Sequence, residues 1–557
     1  MHKPNPTALR VAYFTMEIGL ESDIPTYAGG LGMLAADIMR SCADMHVPAL
    51  GMTICWQHGY MRQKINQNGT QAYEDITWDP SGSMEQLQEK VVVKIEGRNV
   101  VIGGWRYALK NIPIIFLDTN LSENAPEDRA ITEHLYGGDG AMRLKQELVL
   151  GIGGVKMLRA LGYGSDDVGT YHMNEGHAAF LTLELLRERD FKDENVRKSC
   201  AFTTHTPIAA GHDYFDYDLA WRICGDILPW HIKNLAGQDR LGMTQLAMHL
   251  SHYTCGVSQV HGEVSRKMFP GEAIDAITNG IHHTTWVSPE MATLFDAHTK
   301  GWREDPLVLA AHCRKIPDAE LWKAHMSAKK RLIDEVNKHT AIPFNPEILT
   351  IASARRIVSY KRPELLYENL DRLREVCQGK VQIIHAGNAH PADRFAQEVI
   401  QRMIERSQHL KGVLRIVYLP NYNPDLAKLL VQGADIWLNT PMRLHEASGT
   451  SGMKACLNGV MNLSTLDGWW IEAYEQDPEA GWRIGPLAPA HDSSEHRKID
   501  AEDIYTELQY QIIPEYEYEG RTRWIRRMKR AIGLIGYFNT NRCVEEYLDR
   551  AWNTQSN

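Results

Sequence analysis

Short apolar runs of strand length alternate with amphipathic stretches of helix length along most of the chain. Runs at 11–16, 200–204 and 274–278 read as strands, and a helix is expected from about Met33. The alternation becomes regular later, where runs at 348–353, 381–385, 413–418 and 436–439 are each separated by one helix-length segment. Parallel βαβ units are the natural reading. No repeat of fixed period and no low-complexity segment is present, which excludes a solenoid or array. A charged helix over about 318–337 leads into Lys338-His339-Thr340-Ala341-Ile342-Pro343-Phe344-Asn345-Pro346, and its two prolines mark the expected hinge. The expected fold is therefore α/β, with two Rossmann-like doubly wound domains at 1–340 and 341–520. A last segment, 521–557, is expected to cross back to the first domain by its helical stretch 522–552. Doubly wound sheets bind ligands at the carboxyl ends of their strands, so two of them facing each other would place a cleft between the domains.

Composition narrows the class. At 557 residues, with 43% hydrophobic and 23% charged residues, the chain reads as a globular protein of more than one domain. No apolar run reaches membrane-span length and no apolar leader follows the first basic residues, so membrane insertion and secretion are not expected. Nine scattered cysteines, none in a Cys-x-x-Cys pair, suit the reducing cytoplasm. A formal net charge of −10 argues against a nucleic-acid partner and requires that any anionic substrate be held by a local cationic cluster.

Several strand ends carry candidate chemistry. Thr450, Ser451 and Gly452 form a small-residue loop opening a helix after the strand at 436–439, which offers backbone N–H and hydroxyl donors to a phosphate. Lys454 lies one turn into that helix, where a sheltered amine can form an imine. A lysine beside a phosphate cradle suits pyridoxal phosphate, against the alternative of a plain glycine-rich turn with a solvated lysine. Arg355, Arg356, Lys361 and Arg362 place four cations within eight residues at another strand end and supply the required cluster. Tyr27-Ala28-Gly29-Gly30-Leu31-Gly32 offers a further close backbone approach to an anion, or simply a structural turn. His172-Met173-Asn174-Glu175-Gly176-His177 and Thr203-Thr204-His205-Thr206-Pro207 end apolar strands with polar groups suited to sugar hydroxyls. Hydrogen-bonded core histidines are the other reading of these two segments. No metal site is expected there, because His172 and His177 lack zinc-ligand spacing and a cysteine partner. Asn279 and Trp286 add an amide and an indole near one more strand end.

Taken together, these segments resemble the glycogen and maltodextrin phosphorylases, and especially the compact bacterial and archaeal α-glucan phosphorylases. The motifs occur in family order and include Arg143-Leu144-Lys145-Gln146-Glu147 and Thr465-Leu466-Asp467-Gly468-Trp469-Trp470-Ile471-Glu472. The resemblance implies a GT-B architecture and reversible phosphorolysis, with retention, of the non-reducing-end glucose of an α-1,4-glucan to α-glucose 1-phosphate. It implies that Lys454 carries pyridoxal 5'-phosphate as a Schiff base. Arg355, Thr450 and Ser451 would lie around the cofactor phosphate, Tyr422 and Trp286 near its ring, and Gly29 and Gly30 beside it. Arg356, Lys361 and the backbone at Gly30 would hold orthophosphate. His205 would face the reacting glucosyl ring, with Asn279, Glu446, Ala447, Ser448 and Gly449 binding hydroxyls and Glu175, His177 and Asp139 also on the substrate side. Orthophosphate then supplies both proton and nucleophile, so the usual carboxylate pair is not needed. A homodimer is the family's expectation.

Departures from the family pattern are visible. Arg355 stands where larger members have lysine, Val358-Ser359 replaces a His-Glu pair, and Gly19 stands where those have tyrosine. The loop Tyr136-Gly137-Gly138-Asp139-Gly140 is short, and the few residues before the first strand leave no counterpart of an N-terminal regulatory apparatus, so allosteric control is expected to be absent. A retaining nucleotide-sugar glycosyltransferase of the glycogen synthase type shares the turn at Glu446 and Gly449 and the cations at Arg356 and Lys361. Only Lys454 separates the two. A catalytically inactive glucan-binding homologue is the third reading.

Overall fold

The computed structural model describes residues 8–66, 69–391, 393–487 and 494–553. The chain divides into two compact units, the first built from Met1–Met61, Asp75–Thr278 and Asn541–Asn557, the second from Arg62–Glu74 and Asn279–Thr540.

The first unit is organised on a ten-stranded sheet. Its parallel part runs, in spatial order, Asp275–Ala276, Tyr253–Gly256, Cys200–Thr203, Val168–Asn174, Leu9–Thr15, Ala49–Ile54 and Ile112–Asp118. Read in chain order, the strand order reverses between Leu9–Thr15 and Val168–Asn174, as in a doubly wound sheet. Beyond Ile112–Asp118 the sheet continues antiparallel through Arg98–Leu109, with Trp105 opposite Phe116. The period-2 alternation of a strand distributes Leu9–Thr15 between two cores: Ala12 and Phe14 enter one, Val11 and Tyr13 the other.

The segment 541–553 reaches that second core, to which Cys543, Val544, Tyr547, Ala551 and Trp552 contribute. The Trp552 indole donates to His172 Nδ1 at 3.0 Å, while His172 Nε2 bonds Thr203 Oγ1 at 3.1 Å and its ring stacks on Tyr13. His172 is thus a satisfied core histidine, its pKa pushed down to about 3 by burial. Of 521–557, only the last part joins the first unit; helix Thr522–Leu534 stays in the second.

The second unit carries a six-stranded, all-parallel sheet in the order Arg415–Leu419, Val381–Ala386, Leu349–Ala354, Ile436–Asn439, Met461–Thr465, Trp482–Ile484. In chain order this is 3-2-1-4-5-6, with the reversal between Leu349–Ala354 and Ile436–Asn439. Leu349–Ala354, at the reversal, and its neighbour Val381–Ala386 are buried throughout, which is why they read as apolar runs.

The division falls at 278/279 and 540/541 rather than at 340 and 520. The proline-bearing stretch 338–346 is an internal connection of the second unit, because helix Asp318–Val336 is anchored to its sheet. Lys329, fully buried, donates to Asp435, to the Ile348 carbonyl at 2.8 Å and to the Tyr516 hydroxyl at 2.9 Å. Asp435 also accepts from His325 Nε2 at 2.8 Å and from the Thr350 N–H at 2.7 Å. The expected strand at 274–278 shortens to Asp275–Ala276, since the chain then leaves the sheet. Among the described residues, no helix is long and apolar enough to cross a membrane.

The buried pair gives a direct stability test. Asp435→Asn leaves the Lys329 ammonium without its counter-charge in a water-free site, and is expected to lower unfolding free energy by about 3–5 kcal/mol in urea denaturation. Lys330→Gln, exposed on helix Asp318–Val336 of the same unit, is the control and should change it by less than about 0.5 kcal/mol.

Candidate active site

In the second unit the polar groups collect where the strand order reverses. After Ile436–Asn439 the chain makes a compact turn, with Leu444 at φ 68° and Gly449 at φ 75°, and enters helix Ser451–Leu457. Lys454 is buried on this helix, and its Nζ lies 3.6 Å from the centroid of the Trp286 ring. Asn458 ties the two together: its Nδ2 donates to the Lys454 carbonyl at 2.9 Å and the Trp286 carbonyl at 3.0 Å, and its Oδ1 accepts from the Ser288 N–H at 2.7 Å. The Trp437 indole donates to Ser451 Oγ at 3.1 Å, leaving the hydroxyl hydrogen of Ser451 to act as donor. Thr450 precedes the helix and its carbonyl accepts from the Lys454 N–H at 3.1 Å.

The four expected cations have separate fates. Arg355, at the end of Leu349–Ala354, is buried; Nη2 donates to the Leu438 carbonyl, while Nε and Nη1 are buried without a hydrogen-bond partner. Burial pulls its pKa down to about 10 despite the nearby Glu446. Two unmet donors on a buried guanidinium carry a free-energy cost that an anion would relieve. Arg356 is exposed. Lys361 is ion-paired with Glu446; burial works against its ammonium, but Glu446 and Tyr360 hold it above the ordinary lysine value. Arg362 is saturated by the Thr440 and Pro441 carbonyls and by Asp500 at 2.7 Å, so it pins the 440–443 segment and does not join the anion-binding set.

Tyr422 is held by its backbone: Asn388 Nδ2 donates to its carbonyl at 2.9 Å and Asn388 Oδ1 accepts from its N–H at 3.2 Å. Burial raises its phenol to about 12 although Arg355 acts the other way, so it stays protonated as a donor. Ser448, Glu446 and Asn279 are buried, and Ala447 and Gly449 lie in the same turn as Glu446. Gly280, next to Asn279, packs so tightly on the Asn539 backbone that a Cβ would sit 2.2 Å from its carbonyl carbon, which fixes where Asn279 stands.

In the first unit the reversal of strand order brings Thr15 and Asn174 side by side, with Asn174 Nδ2 donating to Thr15 Oγ1 at 3.1 Å. Asn174 Oδ1 lies 2.6 Å from His205 Nε2, and Glu175 Oε2 accepts from the His205 N–H at 2.8 Å and from the Thr206 hydroxyl at 2.9 Å. Burial lowers His205 to about 4, so the ring is neutral at neutral pH. His177 Nε2 lies 3.3 Å from Asp213, which Arg143 also contacts at 3.2 Å. Asp139 caps helix Gly140–Leu148 by accepting from the Met142 N–H at 3.0 Å. A cavity of about 510 Å³ opens here, lined by Tyr136, Asp139, Arg143, Asp213, Tyr214 and Arg240 among others. Aromatic faces beside carboxylates and guanidinium groups suit a polyhydroxylated ligand.

Two residues of these sites escape a reading of the sequence. Glu17, buried at the end of Leu9–Thr15, accepts from the N–H groups of Ala28 and Gly29 at 2.6 and 3.1 Å through Oε2 and from the Tyr136 hydroxyl at 2.9 Å through Oε1. Gly29 therefore spends its N–H on an internal carboxylate, while the positions of Gly29 and Gly30 open onto unfilled space. The one signal for Glu17 is a lone carboxylate inside an apolar run. Asp467, quoted above only as part of a motif, is buried; its Oδ2 accepts from the His445 and Glu446 N–H groups at 3.1 and 2.8 Å, and its Oδ1 from Gly468 at 2.9 Å. Burial, then the charge of Glu446, raises it to about 7.

The model of the carbohydrate phosphorylase family matches residues 15–105 and 229–509, more than half of the chain. A maltodextrin phosphorylase of Thermococcus litoralis is 36% identical over 97% of this chain and 70% of its own length. A glycogen phosphorylase of Mycobacterium tuberculosis is 34% identical over the same shares, and one of Aquifex aeolicus is 33% identical over 97% of this chain and 85% of its own length. These matches place the chain in the carbohydrate phosphorylase family.

Proposed function

We propose that this chain is an α-glucan phosphorylase that holds pyridoxal 5'-phosphate on Lys454 and releases α-glucose 1-phosphate, with retention, from the non-reducing end of an α-1,4-glucan. The observation that carries the reading is Lys454 itself, buried with its Nζ 3.6 Å from the Trp286 ring centroid and its segment clamped by Asn458. Nothing in sugar-nucleotide transfer needs an amine so placed. The cofactor fits the residues present: the Arg355 nitrogens without partners and the Ser451 hydroxyl await an anion, and Trp286 and Tyr422 provide flat and hydroxyl surfaces.

When bound, the cofactor supplies a phosphate group that acts as acid–base partner to the substrate phosphate. The chain's own residues do the rest. Arg356 and Lys361 attract orthophosphate, and Glu446, through its pair with Lys361, keeps that ammonium charged and oriented. Orthophosphate passes a proton to the glycosidic oxygen, the C1–O bond breaks, and a phosphate oxygen closes on C1 from the same face. Asn279, Ala447, Ser448 and Gly449 are assigned to sugar hydroxyls. In the first unit, neutral His205 offers a carbonyl and an uncharged ring, and Glu175 and His177 offer further polar contacts, which favour a hydroxyl-rich ligand over an ionic one. Nine cysteines, all buried and with no disulfide among the described residues, agree with a reducing, cytoplasmic setting.

Incubation with pyridoxal phosphate followed by borohydride should fix pyridoxyl fluorescence on the Lys454 peptide, and Lys454→Ala should lose both the label and all turnover. Glucose 1-phosphate should appear from maltoheptaose and orthophosphate, with none of the glucan extension from UDP-glucose or ADP-glucose that a synthase would give; the reverse outcome sinks the assignment. Arg355→Gln should weaken cofactor binding by roughly ten- to a hundredfold, read from fluorescence titration, because it removes the charge-assisted donors.

Asp467 carries a pH signature. The native state holds its proton more tightly than the unfolded chain, so this group's contribution to stability declines as pH rises from the ordinary carboxylate range to about 7. Asp467→Asn should therefore gain stability relative to wild type as pH goes from 4 to 7 in parallel denaturation curves. The same variant should lower kcat and lose any inflection near pH 7 from its pH profile, since the Glu446 turn hangs on this carboxylate.

A further inference from the structure

Outside the machinery assigned above, the first unit brings together three metal-ligating side chains, the adjacent pair Glu133 and His134 and the sequence-distant His58. Their backbones are locked before any ligand arrives. The Gln57 N–H donates to the Thr132 carbonyl at 3.1 Å and the His58 N–H to the Glu133 carbonyl at 3.0 Å, so His58 pairs in parallel with His134. The two imidazoles stack at 4.5 Å with their planes 19° apart. Glu133 Oε1 lies 3.5 Å from His58 Nε2 and 4.0 Å from His134 Nε2, and one ligand atom from each residue falls within 4.8 Å of the others.

We infer that His58, Glu133 and His134 form a binding site for a divalent transition-metal ion of the zinc class. A tetrahedral ion with bonds of about 2.0–2.1 Å needs its ligand atoms about 3.3 Å apart, so the edges of 3.5 and 4.0 Å shorten by about 0.2 and 0.7 Å and no edge, all lying within 4.8 Å, by more than about 1.5 Å. The side chains of Glu133 and His134 are 42% and 43% exposed, which leaves them the rotameric freedom to do so and leaves the remaining coordination positions open to water. Two imidazoles and one carboxylate select zinc, nickel, copper or cobalt over magnesium and calcium, which want an oxygen shell. The plainer account is a pair of histidines that take turns in an ion pair with Glu133. It needs no ion and predicts no dependence on both rings at once.

The position gives the site a consequence. His134 opens the turn in which the Gly137 N–H returns to the His134 carbonyl at 3.2 Å, and that turn delivers Tyr136 to Glu17 and Asp139 to the helix it caps. An ion fixing His134 to the strand His58–Ile65 would stiffen the root of this segment, and with it one wall of the 510 Å³ cavity.

The test is calorimetric titration of zinc chloride into the full chain, first stripped with chelator, with magnesium chloride as the control. The nine cysteines are buried, so thiolate does not compete for the ion in the folded protein. One equivalent of zinc is expected at micromolar affinity, and His58→Ala and His134→Ala should each weaken it by about tenfold or more, with Glu133→Gln also weakening it. Circular dichroism melts of the three variants without metal, unchanged from wild type, show that the loss is of a ligand and not of the fold; should a histidine variant melt early, its glutamine replacement is titrated in its place. Absence of zinc binding up to millimolar concentration, or binding that survives both histidine variants, overturns the site.

Discussion

One constraint of parallel sheets positions much of the candidate chemistry of this chain. Where strand order reverses, the segments following two neighbouring strands leave toward opposite faces, and the gap between their carboxyl ends is left uncovered by either. The second unit has this point between Leu349–Ala354 and Ile436–Asn439, and the residues that follow those strands are Arg355 and the turn running to Glu446 and Thr450. The first unit has it between Leu9–Thr15 and Val168–Asn174, followed by Glu17 and Glu175. Loops there need not fill space, so they are free to carry polar groups that a packed interior would reject.

Burial then decides what each cation can do. Arg355, Lys361 and Arg362 are close in sequence, yet one is desolvated with donors to spare, one is matched to a carboxylate, and one is consumed by carbonyls and Asp500. A charged group out of water with unmet donors has a standing free-energy cost that a bound anion relieves. A saturated group has none to give. This ordering, more than the local count of positive charge, separates anion binding from structural pinning in a chain whose net charge is −10.

Four of the six strands of the second sheet are legible in the sequence, most clearly 349–354 and 381–386, whose burial on both faces writes apolar runs into the chain, whereas Met461–Thr465 is broken by Asn462 and Ser464 and Trp482–Ile484 is only three residues long. Arg98–Leu109 is not legible, since an antiparallel strand with exposed alternate residues gives a weak signal. The domain boundary expected at 340 lies elsewhere for a physical reason: prolines at 343 and 346 say where the backbone turns, but Lys329 bonding to Asp435 says which sheet the preceding helix belongs to, and no local pattern encodes that pairing. The roles of Glu17 and Asp467 are hidden for a similar reason, because each accepts backbone N–H groups from residues well removed along the chain. Lys454 is legible because its loop, helix and residue type all point the same way.

Glu17 also changes what the glycine loop means. A run of small residues ahead of a helix suggests a bare nest of N–H groups for an anion, but two of those N–H groups already bind an internal carboxylate. Gly32 is required by that carboxylate, since a Cβ there would sit 2.8 Å from Glu17 Oε2. At Gly29 and Gly30, by contrast, an added Cβ would meet no atom within 4 Å, so both keep the approach to the loop clear. An anion reaching this loop would meet open space at Gly30, with the Glu17 carboxyl group just behind it. The loop can set how closely an anion approaches, but with the N–H groups of Ala28 and Gly29 already given to Glu17 it offers little attraction of its own.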